Sequence, residues 1–407
     1  MTQVELQKRE PVPRGLARTG PVILSYGFRP FFLAATVWGA LSMVLWILEV
    51  SLGLGLGGAS GSAWHAHEML FGYTSAALAG FLLTAIPNWT GRLPVSGQPL
   101  LALFALWAAG RLALLWPSAL GETASLIVDG SFLPVLFLIC AREIVAGKKW
   151  KDLKVLAALF ALASGNAFFH YGNVVLGDIA LPSRVAIAAY MMLIMIIGGR
   201  ILPSFTRNWL SKRGVTTLPS PYGRFDIAAL LTALGALALW IADPQGWATG
   251  VACVAAAVLH AIRLARWRGW MTVAEGLVLV LHLAYGFVVL SFLSFGAAAF
   301  GLLEPVAALH VATVGCLGAM TLAVMTRATR GHTGLELRAS GTTIASYAAM
   351  IAAGALRPLT ALLPDFHSEI VALAGAAWIV AMLLFVAEYG PVLLTRRKDL
   401  LSPRGSS

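Results

Sequence analysis

Long apolar runs alternate with short polar segments along almost the whole chain of 407 residues. A helix needs about 20 predominantly apolar residues to cross a hydrocarbon core. Runs close to that length fall near residues 31–50, 64–87, 99–116, 123–147, 153–175, 183–203, 225–242, 247–266, 273–297, 304–326, 341–363 and 368–394. The pattern predicts an all-α, polytopic integral membrane protein of about twelve transmembrane helices. No intervening segment is long enough for a soluble domain, so residues 1–407 are expected to form a single transmembrane domain. Segment 204–224, with Lys212, Arg213, Pro219 and Pro221, is the expected cytoplasmic linker between spans 1–6 (within 31–203) and spans 7–12 (within 225–394). The Gly198-Gly199-Arg200 triplet ahead of Pro203 is expected to end span 6.

Composition agrees with this class. The chain is 59% hydrophobic and 12% charged, against about 25% charged residues in soluble domains. Cys140, Cys253 and Cys316 all lie in apolar runs, which argues against a disulfide framework. No Cys-x-x-Cys-His is present, so covalent c-type haem attachment is not expected. The first 25 residues hold no apolar h-region, so no cleaved signal peptide is expected there.

The net charge of +11 is a topology signal. Of the 29 Lys and Arg residues, 26 fall in the two tails and every second intervening segment, and two fall in the other segments. Arg111, inside span 3, completes the count. Basic residues accumulate on the cytoplasmic side, so both termini are expected to be cytoplasmic. No recognition motif accompanies the charge, so nucleic acid is not an expected partner; the bilayer is.

This topology gives the histidines a depth. His65, His67, His170 and His310 fall toward the outer leaflet, and His282 lies deeper in span 9. His260 is near the cytoplasmic end of span 8, His332 in a cytoplasmic loop and His367 in an external one. Ionisable residues inside a bilayer are costly and mark functional sites, and histidine is the commonest metal ligand among side chains. A metal or haem site is therefore expected, with interhelical hydrogen bonding as the alternative. In Trp64-His65-Ala66-His67-Glu68-Met69 the two imidazoles are two residues apart, which points them about 200° apart on a helix. They are expected to serve different neighbours. Glu68, at i+3 from His65, is expected to orient it or to ligate a metal. Gly72, Ala76, Ala79 and Gly80 form a stripe that admits a close neighbour, a flat cofactor or another helix.

Arg111 has Asp129 as its nearest topological partner, for an ion pair; the alternative is that its planar fork faces a cofactor carboxylate. His282 and Tyr285 share a face of span 9, with Glu275 at i−7, as a ligand with its neighbour, a proton path or interhelical contact. Met191, Met192 and Met195 offer thioethers suited to Cu(I), although Met is also an ordinary core filler.

The chain resembles the NnrS family of bacterial membrane proteins over nearly its whole length. The marks are Phe28-Arg29-Pro30-Phe31-Phe32, Trp64-His65-Ala66-His67-Glu68-Met69-Leu70-Phe71-Gly72 and Pro87-Asn88-Trp89-Thr90-Gly91-Arg92. Further along come Gly198-Gly199-Arg200 with Pro203 and Phe205-Thr206, then Leu281-His282-Leu283-Ala284-Tyr285. Leu309-His310 through Gly315, Met325-Thr326-Arg327 and Gly331-His332-Thr333-Gly334 complete them. Leu335 stands where many members carry a basic residue.

The resemblance implies an inner-membrane protein holding b-type haem and copper, tied to nitric oxide, nitrosative stress and denitrification. Under it, His65, His67 and His310 are the haem-ligand candidates, with Arg111 beside the haem. His170, His282 and Glu68 are candidates for copper or a second haem, supported by Tyr285 and Asp129. Nitric oxide is the expected ligand; the reaction, the electron donor and the oligomeric state do not follow from it.

Two other readings compete. One is a transporter or channel whose intramembrane His, Glu and Arg line a substrate or proton path. The other is a partner protein without chemistry of its own, docking through the Arg327, Arg330 and His332 loop. A kinship with haem-copper oxidases is weak, because the adjacent histidine pair of their copper site is missing.

Overall fold

The computed structural model describes residues 20–55, 58 and 61–396. The basic tails that enter the charge alternation lie largely outside these residues. Among the described residues, twelve helices are long and apolar enough to span a membrane. Spans 1 to 6 are Phe28–Leu52, Gly61–Thr90, Gln98–Leu115, Glu122–Ala146, Trp150–Leu176 and Ala180–Ser211. Spans 7 to 12 are Arg224–Ala242, Trp247–Arg266, Gly276–Ala299, Pro305–Thr333, Gly341–Ala361 and Pro364–Leu394. No strand occurs among the described residues. The protein is all-α and built as a multi-pass membrane protein.

The helix ends follow local chemistry. Pro305 opens span 10 at a position where a missing N–H costs nothing, and the Glu304 carboxylate caps it by accepting from Val306 N at 2.9 Å and Ala307 N at 2.7 Å. Ser340 accepts from Thr343 N at 3.0 Å to start span 11. Arg29 reaches the C-terminal carbonyls of span 12, donating to Leu393 O at 2.7 Å and Thr395 O at 2.9 Å. A cation belongs at this negative end of a helix dipole, and the contact explains why an arginine stands in the Phe28-Arg29-Pro30 segment.

Span 6 corrects one expectation. The helix does not end at Gly198-Gly199-Arg200 but runs through Pro203 to Ser211. Gly199 makes room for a side chain from span 8. A Cβ at Gly199 would collide with the Arg263 guanidinium, whose Nη1 donates to Met195 O at 3.0 Å. Met191 and Met195 are buried in the core beside it.

Spans 2, 6, 9 and 10 are the most deeply buried. Span 1 packs against span 12, span 6 against span 9, and span 2 against span 10, so contacts knit the two sets of six. Trp378 Nε1 donates to Gly39 O at 2.9 Å across the first of these seams, and Tyr73 Oη meets Thr321 Oγ1 at 2.5 Å across the third.

Three spans change from α to the wider π winding, at Glu68–Tyr73, Gly172–Leu176 and Val311–Gly318. These stretches begin one or two residues after His67, His170 and His310. π segments inside α-helices are frequent at functional sites. They re-aim the side chains around them, which α-helical spacing alone does not anticipate.

Candidate functional site

The histidines expected to converge separate into two pairs at different places. His67 and His170 belong to one buried polar cluster. His65 and His310 line one cavity.

The cluster joins spans 2, 3, 4 and 5. His67 Nδ1 meets Glu68 Oε1 at 3.0 Å, and its Nε2 meets Asp129 Oδ2 at 3.1 Å and Asn166 Oδ1 at 3.0 Å. His170 Nε2 meets the same Asp129 oxygen at 2.7 Å, and Asn166 Nδ2 donates to it at 3.0 Å. Arg111 bridges the carboxylates, with Nη1 2.7 Å from Glu68 Oε2 and Nη2 paired to Asp129 Oδ1. Trp38 Nε1 donates to Glu68 Oε2 at 2.6 Å. All these residues are buried.

Both His67 nitrogens face carboxylate oxygens. The Glu68 and Asp129 carboxylates also offset the buried Arg111 guanidinium. A buried ion group persists only when paired and hydrogen-bonded in this way. The same atoms offer a metal-ligand set, because one nitrogen each of His67 and His170 and one oxygen of Asp129 lie within 4.8 Å of one another. Two imidazoles and a carboxylate suit a borderline transition metal such as copper. Gly72 makes room for the cluster: a Cβ there would lie 2.7 Å from Arg111 Nη1 and 2.9 Å from Trp38 Nε1.

The cavity has a volume of about 530 Å³ and opens at the end of the bundle that carries Asp178, Gln245 and Pro305. His65 stacks on Trp46, with ring centroids 4.5 Å apart and planes 16° apart. Its Nδ1 is buried with no hydrogen-bond partner. His310 Nδ1 donates to Val306 O at 2.7 Å. That bond fixes the tautomer and leaves the lone pair on Nε2, the arrangement in which a histidine ligates. Arg184 and Arg357 also line the cavity.

Of three expected pairings, Arg111 with Asp129 is kept and two are replaced. Glu68 does not orient His65; its carboxylate meets His67 and Arg111 instead. Arg111 pairs with Asp129 as expected and with Glu68 in addition, and it does not line the cavity. His282 and Tyr285 share no partner. His282 Nε2 meets Thr206 Oγ1 at 2.7 Å, and its Nδ1 has no hydrogen-bond partner. Tyr285 belongs to a third network, where it donates to His260 Nδ1 at 2.8 Å and accepts from Arg263 Nη1 at 2.8 Å. Arg263 Nε donates to Asp226 Oδ1 at 2.8 Å. Glu275 caps span 9 and accepts from Ala339 N at 3.1 Å.

Sequence reasoning missed Asn166, Trp46, Arg184 and Arg357. Asn166 precedes His170 by four residues, one helical turn, and a polar amide in an apolar run was an available signal. Nothing local distinguishes the two cavity arginines from interfacial anchors.

No curated protein matches the chain. The family model described as NnrS protein matches residues 22–397, a range that takes in the cluster, the cavity and all twelve spans, and the chain belongs to the NnrS family.

Proposed function

We propose that this protein is an inner-membrane haem and copper protein that takes part in nitric oxide tolerance, with both termini cytoplasmic and the cavity facing outward. The observation that carries the haem reading is the His65–His310 cavity. A roomy space faced by an imidazole with an unpartnered buried nitrogen, a second imidazole with a fixed tautomer, and two guanidinium groups fits a planar dicarboxylate cofactor. His65 and His310 would hold the haem, and Arg184 and Arg357 would meet its carboxylates. Bound haem supplies an iron centre able to ligate nitric oxide. Trp46 holds the His65 ring plane, and the Val306 carbonyl holds that of His310. The second metal, copper, belongs to His67, Asp129 and His170, with Glu68 and Asn166 orienting His67.

An optical spectrum with metal analysis on purified protein tests the assignment. His65→Ala and His310→Ala should lose the Soret band and keep copper. His67→Ala and His170→Ala should lose copper and keep the band. Wild-type protein from haem-replete cells without a Soret band would sink the reading.

A further inference from the structure

A second, smaller pocket of about 80 Å³ lies between spans 2, 6 and 10. Ala77, Leu78, Leu193, Ile197, Met320 and Val324 form its walls. It adjoins the large cavity, because Thr74 and Leu317 line both. Its other side reaches the flank of the bundle through Phe81, Ile194 and Ile201, which are only half-buried. On a membrane-spanning helix such a flank meets hydrocarbon.

Every hydroxyl on the lining already donates its proton to a backbone carbonyl. Thr74 donates to Met69 O at 2.7 Å, Tyr190 to Leu70 O at 2.8 Å and Thr321 to Leu317 O at 2.7 Å. Tyr73 Oη takes the remaining capacity of Thr321 at 2.5 Å. A buried water needs two to four polar partners, and apolar cavities without them stay dry. The volume of about 80 Å³ is well above the space of one water. It is roughly half that of an engineered cavity of about 150 Å³ that takes benzene. The space therefore suits a molecule of about two heavy atoms and is too small for the length of an acyl chain.

We propose that this pocket binds a neutral diatomic gas taken from the bilayer and passes it to the large cavity. Such gases dissolve better in hydrocarbon than in water, so the lipid flank is their richer source. Thr74, Thr321 and Tyr190 stand on the wall, and with their protons already spent they offer little to hold water or ions along with the gas. The identity of the gas as nitric oxide rests on the function proposed above; the pocket itself does not.

Xenon is the first probe, since it reports an apolar void whatever else the protein carries. Crystals of the full-length protein under xenon pressure should show a bound atom between Leu78, Ile197 and Met320. Ala77→Phe should fill the space and abolish the peak. Ile194→Trp, at the half-exposed mouth, perturbs packing least and serves as the second variant, with unchanged thermal melting as its control. In haem-loaded protein in nanodiscs, Ile194→Trp should slow carbon monoxide rebinding after photolysis several-fold. Absence of xenon from the pocket, a lipid or detergent chain found there, or rebinding unchanged in a folded Ile194→Trp protein would each overturn the proposal. A preparation without haem would defeat the functional reading alone, and the xenon peak would still decide the pocket.

Discussion

His67 and His170 converge on one atom: Nε2 of each faces Oδ2 of Asp129, at 3.1 and 2.7 Å. The other Asp129 oxygen is paired to Arg111. One carboxylate from span 4 thus collects an imidazole from span 2, an imidazole from span 5 and a guanidinium from span 3. This is economical as a structural cross-link, and it leaves two nitrogens and an oxygen positioned for one cation.

Asp129→Asn separates these two roles. It leaves Arg111 buried with one carboxylate fewer, and breaking one partner of a buried ion group costs about 3–5 kcal/mol. A clear fall in melting temperature is expected in detergent or nanodiscs, together with loss of copper. Combining it with Arg111→Met should recover part of the stability and none of the metal. Recovery of both would show that Asp129 is not a ligand.

Copper at this cluster competes with protons on His67 and His170, because ligating imidazoles must be deprotonated. Copper retention is expected to fall as the medium is acidified, while iron retention at the cavity follows a separate course. Equilibrium dialysis across a pH series, with both metals measured, checks this. Parallel loss of the two would contradict the assignment to separate sites.

Gly72 is the position where the smallest change should do the most local damage. A methyl group there meets Arg111 Nη1 at 2.7 Å, Trp38 Nε1 at 2.9 Å and the Glu68 carboxylate. Overpacking of a filled core costs about 1–3 kcal/mol. Gly72→Ala should lower the melting temperature and copper content and leave the haem spectrum intact. A neutral effect on both stability and copper would mean that the cluster is more compliant than its packing indicates.

The fold was legible because apolar run length is a physical signal with a long reach. Ten of the expected spans end within a few residues of the helices. Span 6 and span 10 continue past their apolar windows, to Ser211 and Thr333, because backbone hydrogen bonding does not stop where hydropathy does. The divergence of His65 and His67 was also legible, since 100° per residue separates them on any regular helix. Glu68 was not. α spacing groups it with His65, but its partners come from tertiary packing, the His67 ring beside it and Arg111 from span 3. Arg111 found Asp129 as topology suggested, and Glu68 is its second carboxylate. Arg184 and Arg357 reach the cavity through the packing of spans 6 and 11, which no local pattern encodes.

The contrast between Arg111 and Arg357 yields the sharpest remaining prediction. Both are basic residues within spans, and for Arg111 a cofactor carboxylate was the alternative to its ion pair with Asp129. Arg111 is held by Glu68 and Asp129 through both Nη atoms, whereas Arg357 lines the cavity and spends one donor, Nη1, on Thr360 Oγ1 at 2.9 Å. A hydrogen bond to a charged group contributes about 1.5–3 kcal/mol. Arg357→Gln should therefore weaken haem retention by about one to two orders of magnitude in a transfer assay to a haem acceptor. Its melting temperature without haem should change little. Arg111→Gln should do the reverse, lowering stability and copper content with haem retention preserved. If Arg111→Gln instead releases haem while Arg357→Gln holds it, the cavity is not the haem site and the cluster must be reconsidered in that role.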